Sequence, residues 1–292
     1  MIKTFTTIKN YFSLVKFSHT VFAMPFALIG YSLAVSEPDY SFSIKLLLLI
    51  ILCMIFARNA AMGFNRLADK RFDALNPRTR NREIPAGIIG SRAAAVFVIL
   101  NAALFIFTTS FINRLTLFLS PVALLVILGY SLTKRFTFLC HFILGLGLSL
   151  APIGAYISLT GNFSVVPLIY SFIVLTWVSG FDIIYALQDD EFDKSNNLHS
   201  VPSVAGVKNA LAISVFVHIL TFAMVILAGY AGNGGWLYWT GASLFTLFLT
   251  YQHLIVKHND LSRVNIAFGT TNGVASIIFA TFVILDLVFR YQ

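Results

Sequence analysis

Runs of about twenty apolar residues recur along almost the whole chain, and the backbone groups inside them leave few options. In hydrocarbon every N–H and C=O must be satisfied internally, so a spanning segment is an α-helix or a strand of a closed barrel. Barrel strands alternate polar and apolar positions over about ten residues. These runs show no such alternation, and each has roughly the 20 residues a helix needs to cross a bilayer. Composition agrees: 58% of the 292 residues are hydrophobic and 11% charged, where soluble domains carry roughly a quarter charged residues. The chain reads as an all-α, polytopic membrane protein with nine transmembrane helices. They are expected at about Phe17–Val35, Ile44–Phe64, Ala93–Phe111, Leu115–Leu132, Phe138–Leu159, Val165–Leu187, Ala210–Tyr230, Trp236–Val256 and Ile266–Phe289. Ile112, Asn113 and Arg114 alone separate the third from the fourth, which predicts a tight helical hairpin. Cys53 and Cys140 fall in or beside spans and read as small buried hydrophobes, with no disulfide framework.

Sixteen of the twenty Lys and Arg fall on one side of these spans. Basic residues collect on the cytoplasmic face, which places the amino terminus and the long polar loops there. The same rule accounts for the net charge of +8, so nucleic acid is not an expected partner. Sixteen mostly polar or amphipathic residues precede the first span, and no small-x-small site follows it, so it does not read as a cleaved signal. Asn10 to Lys16 are read as part of an interfacial helix, with Phe5, Ile8, Phe12 and Val15 on one side. No low-complexity linker divides the chain, and residues 1–292 are expected to form a single transmembrane domain.

Acidic residues are scarce, and eight of the twelve gather at the cytoplasmic ends of spans two and six. The first group reads NRLADKRFD, with Asn65, Asp69 and Asp73, and is followed by Glu83. The second reads DIIYALQDDEFD, with Asp182, Asp189, Asp190, Glu191 and Asp193. Residues four apart share a helix face, so Asn65, Asp69 and Asp73 form a column of oxygens, and Asp189 and Asp193 repeat the spacing. Hard oxygen ligands suit Mg²⁺, which keeps waters and takes a phosphate as partner. A solvated, mixed-charge helix end is the plain alternative for either motif alone; two at matching positions argue against it. Like charges in that column repel, so a cation is expected there; Lys70 and Arg71 could serve structurally, but a metal ion is the stronger candidate. The two motif helices lie four spans apart, which suggests two four-helix groups plus a ninth helix, related as a parallel repeat about an axis along the membrane normal.

Arg78, Arg80 and Arg82 follow the first motif in PRTRNREIPAG, and Lys134 and Arg135 stand at the same membrane face. Guanidinium forks suit phosphate oxygens; topology alone accounts for such charges equally well. Arg58 lies deeper, seven residues before Asn65 and on its face. An arginine there costs ~2.5–3.5 kcal/mol on insertion scales unless paired or in a wet cavity. A substrate carboxylate is one partner; a backbone carbonyl or a motif aspartate is the alternative. His141, His218 and His253 have no metal-ligand spacing and read as satisfied or exposed side chains. Most of the 29 phenylalanines read as lipid contacts, with shielding of a carbocation a further use. Pro25 and Pro152 are expected inside spans, where breaks are tolerated if protein or water resatisfies the backbone.

These residues resemble the UbiA superfamily of intramembrane aromatic prenyltransferases, particularly its 4-hydroxybenzoate polyprenyltransferase-like branch. NRLADKRFD is similar to the family's N-x-x-x-D-x-x-x-D motif. DIIYALQDDEFD is similar to its second aspartate-rich motif through Asp182, Tyr185, Asp189 and Asp193. PRTRNREIPAG, YSLTKRFT and LGLGLSLAPIGAY resemble further family stretches. The resemblance implies nine helices and Mg²⁺ held by Asn65, Asp69, Asp73, Asp189 and Asp193 on the diphosphate of a polyprenyl donor. It implies diphosphate contacts from Arg78, Arg82 and Lys134, an aromatic acceptor near Arg58, and Ser149 close by. Tyr185 and Asp182 belong to the same ligand-binding set, and Asp182 is a candidate for the base. Arg66, Glu83 and His199 depart from the family pattern.

The expected function is Mg²⁺-dependent transfer of a polyprenyl chain to a 4-hydroxybenzoate-like acceptor in ubiquinone or menaquinone synthesis. The setting is a bacterial inner membrane with the site at the cytoplasmic face. A futalosine-pathway menaquinone precursor or a haem is the alternative acceptor. From another class, a cation-coupled transporter also uses intramembrane acids and repeats, but its acids sit near the midplane. A membrane phosphotransferase would carry a D-G-x-x-A-R-type motif, which this chain lacks.

Overall fold

The apolar runs form helices, since a helix satisfies its own backbone. A computed structural model describes residues 10, 11, 13–15 and 22–291. In chain order the helices are α1 (Met24–Val35), α2 (Ile44–Ala68), α3 (Lys70–Leu75), α4 (Ser91–Thr109), α5 (Arg114–Thr133), α6 (Cys140–Thr160) and α7 (Val165–Ala186). They continue with a 3₁₀ turn at Leu187–Asp189, α8 (Asp190–Ser195), α9 (Val201–Ala205), α10 (Val207–Ala231), α11 (Trp236–Ile255), a π-helical segment at Ile266–Thr271 and α12 (Asn272–Tyr291). Among the described residues there is no strand, only an isolated bridge between Lys257 and Asp260.

Seven segments are long and apolar enough to cross a membrane: Ile44–Ala68, Ser91–Thr109, Arg114–Thr133, Cys140–Thr160, Val165–Ser195, Val207–Ala231 and Ile266–Arg290. The protein is a multi-pass, all-helical membrane protein. Met24–Val35 is apolar but only 12 residues long, and residues 16–21, where the first expected span begins, lie outside the described part. Trp236–Ile255 is a helix of 20 residues, its apolar character diluted by Thr240, Thr246, Thr250, Gln252 and His253. Of the expected interfacial helix, Phe5, Ile8, Phe12 and Lys16 also lie outside the described residues, while Leu14 and Val15 are buried. The tight hairpin forms, with Asn113 and Thr116 closing a capping box at the start of α5.

α7 is buried on nearly all sides, and Ser171, Thr176, Ser179 and Asp182 interrupt its apolar run. It packs between α6 and α10, while α1 lies on α6, α2 on α4 and α11 on α12. An aromatic core joins these layers: Phe26 meets Trp177 at 5.3 Å between ring centroids, and Phe245 stacks on Phe279 at 4.8 Å. Between helices with little water, polar bonds act as staples. Trp177 Nε1 donates to Asn272 Oδ1 at 2.9 Å, and Asn272 Nδ2 donates to Gln252 Oε1 at 3.2 Å. Gly30 permits the α1–α6 contact, since a Cβ there would stand 2.0 Å from the Pro152 carbonyl oxygen. Pro152 does lie inside a helix, but Pro25 occupies the first turn of α1, where proline is well tolerated. Cys53 and Cys140 are buried free thiols.

Candidate active site

α2 and α7 both end at one polar mouth, so the two acid motifs, more than a hundred residues apart, face the same cavity. That cavity has a volume of about 970 Å³. Asn65, Asp69 and Asp73 reach it from α2 and α3; Asp182, Tyr185, Asp189 and Asp193 reach it from α7 and the turns after it. Arg58, Arg78, Arg82 and Lys134 line it too. Asp190, although buried, turns aside to pair with Lys194 at 2.8 Å. The change from α-helix to 3₁₀ turn at Leu187 re-aims this segment while keeping Asp189 and Asp193 on the cavity side.

Asp69, Asp73, Asp189 and Asp193 are each matched by a cation of the mouth. Arg82 Nη1 donates to Asp73 Oδ1 at 2.7 Å, and Lys134 Nζ lies 2.8 Å from Asp193 Oδ1. Arg78 forks onto Asp189, Nε to Oδ1 at 3.0 Å and Nη2 to Oδ2, and its Nη1 donates to the Tyr185 hydroxyl at 2.8 Å. Arg135 approaches Asp69 at 3.4 Å. The neutralising partner of Asp69 is thus Arg135, and not Lys70, which donates to Ser91 Oγ, or its neighbour Arg71. Burial, and next the adjacent Asp73, push the Asp69 carboxyl above the usual range, with Arg135 opposing them. Burial works against the charges of Arg78 and Lys134, but their aspartate partners outweigh it and raise both.

Several contributors were not singled out from the sequence. Asn76 donates from Nδ2 to Asp189 Oδ1 at 2.9 Å and accepts the Arg78 N–H at the same distance. Its place three residues after Asp73 extends the Asn65–Asp69–Asp73 row, which was a readable signal. Ser200 donates to Asp193 Oδ2 at 2.8 Å. Phe268, in the π-helical segment, stacks on Tyr185 at 4.1 Å. Tyr130 lines the cavity within electrostatic reach of Arg66, Asp69 and Asp182. Nothing in local sequence marks Ser200 or Phe268, while Tyr130 opens the YSLTKRFT stretch.

Deeper in, Arg58 lines the cavity and its Nη2 lies 3.5 Å from the Val15 carbonyl oxygen. Asp182 lies on α7 seven residues, two helical turns, before Asp189 and lines the same cavity as Arg58. His141 Nε2 accepts the Val201 N–H at 3.2 Å, which leaves the proton of the neutral ring on Nδ1, 2.7 Å from Asp182 Oδ2. His218 and His253 bond each other at 2.7 Å, so these three histidines are satisfied side chains, as expected. Ser149 does not reach the cavity: its hydroxyl donates to the Leu146 carbonyl at 2.8 Å, one turn back along α6. Beyond Arg58 and Asp182 the wall is largely apolar and runs to Val122 and Phe163, which are 58% and 56% exposed on the outer surface.

A mouth rich in both signs of charge above a long apolar chamber separates two tasks, holding a charged leaving group and solvating a lipid chain. That division of labour, inside a bundle of membrane helices, is that of a membrane-embedded aromatic prenyltransferase. The chain belongs to the UbiA prenyltransferase family, whose model matches residues 23–282. It is similar to the 4-hydroxybenzoate octaprenyltransferase of Nitrosomonas eutropha, 33% identical over 245 residues that cover 80% of this chain and 82% of that one. The enzyme of the same name from Aliivibrio fischeri is 27% identical over 243 residues, 83% of each chain. Among solved structures, an apo UbiA homologue from Aeropyrum pernix K1 superposes with a TM-score of 0.83 at 31% identity, covering 92% of this chain and 98% of that one. A UbiA homologue from Archaeoglobus fulgidus bound to GPP and Mg²⁺ shares the fold, with a TM-score of 0.74 at 19% identity over 96% and 99% of the two chains.

Proposed function

We propose that this enzyme transfers a polyprenyl chain from a polyprenyl diphosphate to a carboxylated phenol such as 4-hydroxybenzoate, in the synthesis of ubiquinone or menaquinone. The observation that carries the reading is the meeting of both acid motifs, three phosphate-suited cations and an apolar chamber in one cavity. The donor set suits Mg²⁺. Asp73 Oδ2 is buried without a hydrogen-bond partner, and the remaining groups are hard oxygens. Among the described residues no three acids, histidines or cysteines converge into a finished cage. Mg²⁺ needs none, since it keeps waters and takes one or two carboxylates plus a phosphate.

Asn65, Asp69 and Asp73 would hold the metal on one wall, and Asp189 and Asp193 on the other. Bound there, Mg²⁺ supplies charge neutralisation of the diphosphate, which eases departure of the leaving group. Arg78, Arg82 and Lys134 exchange their carboxylates for phosphate oxygens, so each cation keeps a charge-assisted hydrogen bond. The allylic carbon–oxygen bond breaks with its electrons on the diphosphate, and the aromatic ring attacks the carbon. Arg58 holds the acceptor carboxylate, and Asp182, its Oδ2 fixed by His141, takes the ring proton. The apolar wall excludes water from the cation and leads the tail out to lipid past Val122 and Phe163. Nine spans in two four-helix groups plus one, with the amino terminus and the mouth at the cytoplasmic face of a bacterial inner membrane, complete the proposal.

The test is direct. Purified protein with Mg²⁺, a polyprenyl diphosphate and 4-hydroxybenzoate should release pyrophosphate and yield a prenylated acid by mass spectrometry, and EDTA should stop both. Failure to bind either Mg²⁺ or polyprenyl diphosphate would overturn the reading.

A further inference from the structure

We propose that Arg66 is an oxyanion-binding residue of this cavity, holding one anionic oxygen of a bound substrate. The inference rests on the prenyl-transfer reading above. Arg66 is on α2 beside Asn65, lines the cavity, and is 5% exposed. Arg78, Arg82, Lys134 and Arg135 each lie on an aspartate. Arg66 differs: among the described residues, no hydrogen bond or ion pair reaches its guanidinium. Its electrostatic neighbours are Arg82, Asp73, Tyr130 and Glu83. Asp73 gives Oδ1 to Arg82 while its Oδ2 makes no hydrogen bond, and Glu83 accepts the Ser13 hydroxyl, so neither carboxylate bonds Arg66. Arg82 adds repulsion. A buried, unpaired guanidinium is costly, and its five donors in a rigid fork match an oxyanion.

Position narrows what arrives there. Side chains on a helix lean toward its amino-terminal end. For α2 that direction leads from the acids toward Arg58, eight residues earlier. Tyr130 neighbours both arginines, and the two guanidiniums sense each other. Arg66 therefore stands at the boundary between the acid-lined mouth and the chamber of Arg58. Two anionic groups meet at that boundary, the donor diphosphate and the acceptor carboxylate or ring oxygen. The shared chemistry is an oxyanion that accepts a forked hydrogen bond.

The experiment compares wild type, Arg66→Gln and Arg66→Lys in detergent micelles by calorimetric titration. The probes are inorganic pyrophosphate with Mg²⁺, and separately 4-hydroxybenzoate. Arg66→Gln should weaken at least one probe by about tenfold or more, the scale of a hydrogen bond to a charged group. Loss on pyrophosphate assigns the oxyanion to the donor; loss on 4-hydroxybenzoate assigns it to the acceptor. Arg66→Lys keeps the charge without the fork and should lie between. With neither probe present, Arg66→Gln should melt higher than wild type, because a buried charge has gone. Unchanged affinity for both probes overturns the proposal, as does a lower melting point with both affinities intact, which marks a structural arginine. Should the glutamine variant not fold, unchanged affinities in Arg66→Lys overturn it equally. A wild type that binds neither probe defeats the prenyl-transfer reading itself, and the assignment of Arg66 falls with it.

Discussion

Asn76 Nδ2 and Asp189 Oδ1, 113 residues apart in sequence, are joined by a buried hydrogen bond of 2.9 Å. The same amide accepts the Arg78 N–H, so one side chain sets both the acid of the second motif and the loop that carries its cation. Asn76→Ala should therefore cost about 1–3 kcal/mol, the range for leaving a buried polar group unsatisfied. Thermal denaturation reads that loss, and a several-fold weaker Mg²⁺–pyrophosphate affinity should accompany it.

The acids of the two walls are expected to act as a unit. Asp73→Asn and Asp189→Asn should each lower kcat/KM by roughly 10²–10³, the scale on which electrostatic stabilisers act. The double variant should lose little more than the worse single one, since groups that act together are not additive. Steady-state pyrophosphate release measures all three, and strictly additive losses would show that the two walls work separately.

Arg58 is assigned to the acceptor. Arg58→Ala should raise the KM for 4-hydroxybenzoate at least tenfold while changing the KM for the polyprenyl diphosphate less than threefold, given the ~1.5–3 kcal/mol of a charged hydrogen bond. Equal rises in both would remove it from that role.

Metal affinity should fall in acid sooner than an ordinary aspartate predicts. The Asp69 carboxyl titrates above the usual range, so its proton competes with Mg²⁺ at a correspondingly higher pH. As pH drops through that raised pKa, protonated Asp69 accumulates and apparent Mg²⁺ affinity declines; as pH rises past it, affinity levels off. Titration of Mg²⁺ with pyrophosphate present across pH should show this, and Asp69→Asn should flatten the curve.

Gly30 tests the packing of the bundle. A methyl group there meets the Pro152 carbonyl oxygen at 2.0 Å, backbone that cannot step aside locally. Gly30→Ala should destabilise by about 1–3 kcal/mol, the usual range for overpacking, while Gly154→Ala, whose Cβ meets nothing within 4 Å, should cost much less. Melting points of the two variants in one detergent compare them.

The chain by itself settled whatever depends on short-range periodicity and on transfer from water. Apolar length fixed the helices, and four-residue spacing put Asn65, Asp69 and Asp73 on one face and Asp189 with Asp193 on another. Paired topology then brought both motifs to one membrane side. Only the tertiary structure decided which charge meets which. Arg135, and not the adjacent Lys70, pairs with Asp69; Ser149 points back along its own helix; Arg66 lies buried near Asp73 and Glu83, with no hydrogen bond or ion pair to either among the described residues. Ion pairs across a cavity depend on the angles at which distant helices cross, and those follow from packing contacts such as Gly30 on Pro152 that no local pattern encodes. The π-helical turn that brings Phe268 onto Tyr185 is of the same kind, an adjustment made by neighbours and invisible in the six residues that adopt it.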